Sequence, residues 1–360
     1  MKRIFPQEHE PIPFVFRQTR DDFIVIEEGL FDAPSNKGNQ LIVKIQKQDL
    51  STMEMLNILE SELRCQNIGY AGLKDKHATT TQYISMPLKY SKSFEKFYHP
   101  KLKVIESFLA KDKISIGDLK GNNFFIRLKE VSPESAQRLA AVLDEIMRQG
   151  IPNYFGYQRF GRDSDNFEKA RDVAQGEEIM KDNKVHKIML HAYQSYLFND
   201  WLAKRVALSK EIKTKPCEEL LKTLKISQTE CEQMKNQAGL FTVLPGDIMM
   251  DFQSRKWINV TDLDAVRKPY KEHKMVPTGL LAGSKAWRAK GVAGEIEHHF
   301  DDFTVDAAGT RREAWIYPKS IRHKYKKNDK FFELSFTLPK GAYATVLLET
   351  LANRDLSPQS

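Results

Sequence analysis

Asp75 stands between two lysines, Lys74 and Lys76, with His77 next in line. These residues follow an apolar run, Ile68 to Leu73, that contains Gly69 and Gly72. Three threonines and Gln82 come after, and then a second strand-like run from Tyr83 to Leu88. A carboxylate on a loop held by strands at both ends is a common arrangement for an active site. Flanking cations are expected to lower its pKa and keep it ionised at neutral pH. An ionised carboxylate can stabilise a developing cation, attack as a nucleophile or take a proton. The same residues also read as a solvated charged turn, and on residue type alone that plainer reading leads.

A second group is aromatic. Gly150 to Gly161 holds three glycines, four aromatics, a proline and an arginine. Nothing in it is periodic, which excludes an ordinary amphipathic helix face. Rings interleaved with a base and small residues suit stacking on an unpaired nucleobase, and Asn153 could hydrogen-bond a base edge. A packed aromatic corner fits the residue types equally well.

The chain has 56 lysines and arginines against 48 acidic residues, a net charge of +8, and a pI near 9.1. Such an excess favours a polyanionic partner, because phosphate contacts release counterions. The 360 residues suit two domains. No apolar segment is long enough to span a bilayer, and no signal-peptide core follows Met1 to Pro6, so a cytoplasmic protein is expected. Cys65, Cys217 and Cys231 show neither close pairing nor zinc spacing, and reduced thiols are expected. His298-His299 with Asp301-Asp302 is a weak metal set, since adjacent histidines on a strand point apart; a surface loop is expected. Pro277 to Ser284 reads as a glycine-bearing loop without the lysine and hydroxyl that end a phosphate-binding loop.

The elements that must position these groups follow from periodicity. Phe23, Val25 and Glu27 lie on one face of a predicted strand, and Gln40 to Lys47 is another. Ser51 and Glu54 form a capping box that opens a helix, with Leu56, Leu59 and Leu63 on its inner face. That helix runs into the Asp75 stretch. Ser132 and Pro133 start a second helix that buries Leu139, Val142, Leu143, Ile146 and Met147 and closes at Gly150. His186 to Val206 is an amphipathic helix, and Phe332, Leu334, Phe336 and Leu338 mark a late strand.

Gly72 to Gln82 resembles the block that marks the TruD family of tRNA pseudouridine synthases. Further blocks of that family recur in order: Asp22 to Glu27, Gly117 to Phe124, Asn153 to Gly161, Ser195 to Asn199, Thr310 to Pro318 and Gly341 to Thr345. The resemblance implies that Asp75 is catalytic. It implies substrate-binding roles for Arg17, Phe23, Lys74, Asn153, Phe155 and Tyr343. Arg17 stands where the family often has a lysine near the aspartate, and Tyr343 where phenylalanine is common. Arg17 is the residue expected to orient Asp75 and hold it charged.

The family also implies an α+β pseudouridine synthase fold, with a central mixed, mostly antiparallel sheet flanked by helices and an α/β insertion domain. Residues 1–160 and 311–360 would form the catalytic domain and 161–310 the insertion. The implied reaction converts a tRNA uridine, uridine 13 by family preference, to pseudouridine. It has no net redox change and adds no external atom, so no cofactor is expected; the partner is tRNA and the state a monomer. A non-catalytic RNA-binding protein would account for charge and aromatics but leave Asp75 without a role. A small-molecule hydrolase with Asp75 as nucleophile would leave the aromatic loop idle.

Overall fold

The structure, a computed structural model, describes residues 3–31, 37–160, 166–178, 180 and 182–357. It divides into two compact units: Pro13–Leu143 with Pro318–Gly341, and Met1–Ile12 with Asp144–Tyr317 and Ala342–Ser360.

In the first unit, alternation makes the strands. β1 (Phe23–Gly29) buries Phe23, Val25 and Glu27. β2 (Gln40–Gln48) leads to the Thr52–Leu63 helix. Its capping box is formed: Ser51 Oγ accepts from the Glu54 N–H, and Glu54 accepts from the Ser51 N–H. Met55, Leu56, Leu59 and Leu63 are buried in one cluster with Val43, Ile45 and Ile84 of the sheet. β3 (Gly69–Tyr70) and β4 (Thr79–Pro87) bracket the Asp75 loop. The strand expected from Tyr83 begins earlier, because the buried, β-branched Thr79, Thr80 and Thr81 extend it. β5 (Leu102–Ala110) and β6 (Leu119–Leu128) follow, and the chain returns late as β13 (Lys319–Lys326) and β14 (Phe331–Pro339).

These strands form one sheet in the order β13-β14-β6-β1-β4-β2-β5, with β3 beside β4. Only β1 and β4 are parallel; the other neighbours are antiparallel. The expected mixed, mostly antiparallel sheet with helices is therefore present. The parallel pairing starts at Ile24 and Thr79. The turn before β1 and the loop before β4 consequently share one end of the sheet.

The Pro133–Gln149 helix opens and closes as expected, with Ser132 Oγ accepting from Ser135 and Gly150 at φ 72°. Met147 is exposed rather than inward. In the second unit β7 (Ile151–Pro152) pairs with β12 (Trp315–Ile316). A four-stranded antiparallel sheet is made of β8 (Ile248–Asp251), β9 (Trp257–Asn259), β10 (Met275–Leu281) and β11 (Thr310–Glu313). Its order is β11-β10-β8-β9. The Asn183–Thr214 helix, longer than its predicted core, buries Phe198, Trp201 and Val206 in an aromatic cluster with Phe241 and Trp315.

Three expectations change here. Pro277 to Leu281 is strand, not loop: its run of buried residues pairs on both sides, with β8 and β11. His298 and His299 end the Gly291–His298 helix, while Asp301 pairs with Arg288 and Asp302 accepts from Tyr193. No metal-binding group is found among the described residues. Cys217 and Cys231 form a disulfide, Cα atoms 6.0 Å apart, where reduced thiols were expected. The turn between the Cys217–Leu224 and Gln228–Lys235 helices brings the two residues within bridging distance. Cys65 is free and buried.

Candidate active site

The Asp75 loop is fastened to three elements. The Lys74 N–H donates to Thr52 Oγ1 at 2.8 Å, and Thr52 in turn donates to Gln82 Oε1 at 3.0 Å. The Lys74 ammonium reaches Glu27 of β1 at 2.6 Å, a pair almost wholly removed from water. Lys47 of β2, fully buried, donates to the carbonyl oxygens of Leu50 (2.6 Å), Asp75 (2.8 Å) and Lys74 (3.4 Å). Lys76 pairs at the surface with Glu54, the capping residue of the Thr52–Leu63 helix.

This arrangement reverses one electrostatic expectation. Burial pushes the Asp75 carboxyl above its ordinary value, and Lys47, Lys74, the Asp75 backbone N–H and His77 only partly offset that. Lys74 and Lys76 flank Asp75 in sequence, but each has its own carboxylate, so desolvation outweighs them. A carboxylate with a raised pKa is a stronger base.

Arg17 is exposed on the segment leading to β1, at the loop's end of the sheet. The cations acting on Asp75 are Lys47, Lys74 and His77; Arg17 is not among them. Phe23 is 2% exposed, packed edge-on to Phe16 and tilted against Phe124. Lys47 and Glu27 were missed as site residues. Glu27 did carry a signal, since it ends a family block and lies on the inner face of a predicted strand, whereas Lys47 reads as an ordinary lysine among the polar residues at the end of β2.

Asn153, Phe155 and Tyr343 belong to the other unit and make a second cluster. Asn153 is buried, its Nδ2 donating to the Glu313 carbonyl at 2.9 Å and its Oδ1 accepting from Arg312 at 2.8 Å. Arg312 lies 4.0 Å over the Phe155 ring. Burial lowers its pKa to about 10, which still leaves it charged at neutral pH. Asn199 brackets the Phe155 backbone, accepting from its N–H at 2.8 Å and donating to its carbonyl at 3.0 Å. Arg3 donates to the same carbonyl and pairs with buried Glu349. Ser195 donates to the His191 carbonyl at 2.6 Å, so this serine and Asn199 organise packing as expected. Arg312 was missed, because two adjacent arginines do not reveal which one turns to Asn153.

Tyr343, half-buried, stands at the N-terminal boundary of the Ala344–Ala352 helix and meets Phe155 edge-on at 6.2 Å. Gly156 permits this: a methyl there would sit 2.6 Å from Cδ1 and 3.0 Å from Cγ of Tyr343. Gly156→Ala is expected to displace the ring and destabilise the fold by about 1–3 kcal/mol. Thermal unfolding checks this, and an unchanged Tm removes the contact from the account.

The fold and loop define a class: an α+β protein presenting a half-buried carboxylate from a loop between sheet strands. The chain belongs to the tRNA pseudouridine synthase D (TruD) family, whose model matches residues 2–177 and 168–351; with that family it is an isomerase. It is similar to tRNA pseudouridine synthase D of a Nitratiruptor species, 42% identical with 99% of both chains covered. It is 43% identical to that of Wolinella succinogenes, again with 99% of each covered. A crystal structure assigned to tRNA pseudouridine synthase D of Methanosarcina mazei superposes with a TM-score of 0.69 over 98% of this chain and 96% of that one. At 22% identity it shows a shared fold.

Proposed function

We propose that this protein isomerises uridine 13 of tRNA to pseudouridine, with Asp75 as the catalytic carboxylate. Family membership carries the coarser part, isomerisation of a tRNA uridine. The single observation that supports the finer part is the Asp75 loop itself. It is a half-buried carboxylate of raised pKa, fastened through its backbone to β2 and to the Thr52–Leu63 helix. In the reaction the N1–C1′ bond breaks, the uracil turns, and C5 bonds to C1′ while its proton is lost and N1 becomes protonated. Asp75 would serve either by trapping the developing oxocarbenium at C1′ as an ester or by removing a sugar proton to give a glycal.

Extruding the base costs a few kcal/mol. Phe155 and Tyr343 would offset this by stacking, and Asn153, whose amide is held by Arg312 and Glu313, by presenting its remaining capacity to a base edge. Arg17 would contact the RNA or Asp75 from the exposed segment, Lys74 would supply charge beside the carboxylate, and Phe23 would back β1. Residues 161–310 would be the insertion domain of the catalytic portion formed by 1–160 and 311–360. No helix among the described residues is long and apolar enough to cross a membrane. A cytoplasmic place, with its tRNA, is part of the proposal.

Incubation with unmodified tRNA followed by pseudouridine mapping tests this reading. Wild type is expected to modify position 13 and Asp75→Ala to leave it as uridine while still binding RNA. Modification elsewhere removes the site assignment, and modification by Asp75→Ala removes the carboxylate. The pH profile is a further check. Because burial raises the Asp75 pKa, kcat/KM is expected to fall on acidification at a pH above the ordinary value of 3.8. An acid limb at or below that value contradicts the burial argument.

A further inference from the structure

We propose that Lys47 is a positioning residue for Asp75, its ammonium gathering the carbonyl oxygens of Leu50, Lys74 and Asp75 and so fixing the direction of the carboxylate. The inference rests on the catalytic reading of Asp75. Lys47 lies at the end of β2, beside Thr80 of β4 and Leu102 of β5, and none of its side chain reaches solvent. A buried ammonium is costly unless its protons are used. Here they go to backbone carbonyls of the two turns that follow β2 and β3, rather than to a carboxylate. A stability role alone would be met better by an apolar side chain. Its use of the Asp75 carbonyl ties it to the one residue whose aim the chemistry depends on. Lys47 bonds the backbone carbonyl of Asp75 directly through its side chain, at 2.8 Å.

The clamp has a built-in pH limit. Burial lowers the Lys47 pKa to about 8; Asp75 and Glu54 raise it, and Lys74 lowers it. The neighbours on β4 and β5, Thr80 and Leu102, carry no charge. Above that pH the neutral amine has one donor fewer and a lone pair in its place, and the loop loosens.

The test is single-turnover pseudouridine formation on tRNA, followed from below to well above the Lys47 pKa. In wild type the rate is expected to fall above about pH 8. Lys47→Met is expected to lower kcat by about 10–100-fold, with KM for tRNA within about threefold, since a small misplacement of a reacting group has effects of that order. The residual rate should show no alkaline fall. Lys47→Arg keeps donors that do not titrate in this range, so its profile should stay level where the wild-type rate declines. A folded Lys47→Met with wild-type kcat, a wild-type rate without an alkaline fall, or the same fall in wild type and Lys47→Arg each overturns the proposal. If Lys47→Met fails to fold, the wild-type and Lys47→Arg profiles decide. Asp75→Ala run alongside separates the two readings. An active Asp75→Ala removes the catalytic assignment itself, whereas an inactive one beside a fully active Lys47→Met removes only the clamp.

Discussion

Asp75→Asn is expected to lower the rate of pseudouridine formation by at least about a thousandfold while leaving tRNA affinity within about threefold. The substitution is nearly isosteric and removes only the negative charge. The loop's fastenings survive it, because they run through the backbone: Lys47 to the Asp75 carbonyl, and the Lys74 N–H to Thr52. A neutral amide can neither trap an oxocarbenium nor remove a proton, so the loss should appear in kcat. Asp75→Glu restores the charge one methylene farther out and should recover little, since reacting atoms must be held within a fraction of an ångström. Single-turnover rates with saturating enzyme, beside a direct binding measurement, check this. An Asp75→Asn protein retaining a tenth of the wild-type rate would sink the carboxylate mechanism.

Glu27→Ala is expected to destabilise the unit that contains it by about 3–5 kcal/mol, the usual cost of stranding one half of a buried ion pair. Glu27 is wholly buried on β1, accepts from the Tyr83 N–H of β4, and neutralises the Lys74 ammonium at 2.6 Å. Without it, the Lys74 side chain is left without its partner in a site that excludes water, next to a carboxylate, Asp75, on which it already acts. The melting temperature should drop by roughly 6–20 °C for a unit of this size, and kcat should fall with it. Glu27→Leu combined with Lys74→Met separates the two effects. An apolar pair of similar volume should restore the melting temperature, but activity should stay low if the Lys74 charge serves the site. A Glu27→Ala melt indistinguishable from wild type would show that Lys74 finds another partner and that the pair has no structural weight.

Much of the fold was legible because its signals are local. The capping box at Ser51 and Glu54 formed as written, since both of its bonds lie within four residues. So did the alternation of Phe332 to Leu338 in β14, and the Ser132 start and Gly150 stop of the helix between them. Pro277 to Leu281 was misread because its glycine suggested a loop. Two flanking strands, each remote or nearly so in sequence, hold it extended. The Cys217–Cys231 bridge was missed for a related reason: a sequence separation of 14 hides the turn that brings the two helices together.

What the sequence by itself determined was the family block and the candidate carboxylate within it, because a motif is a property of neighbouring residues. What only the tertiary structure decided was which charges govern that group. Lys74 and Lys76, adjacent in the chain, are spoken for by Glu27 and Glu54, whereas Lys47, 28 residues away, holds the loop. Electrostatic strength depends on distance through space and on exclusion of water. Neither quantity is written along the chain until the strands have paired.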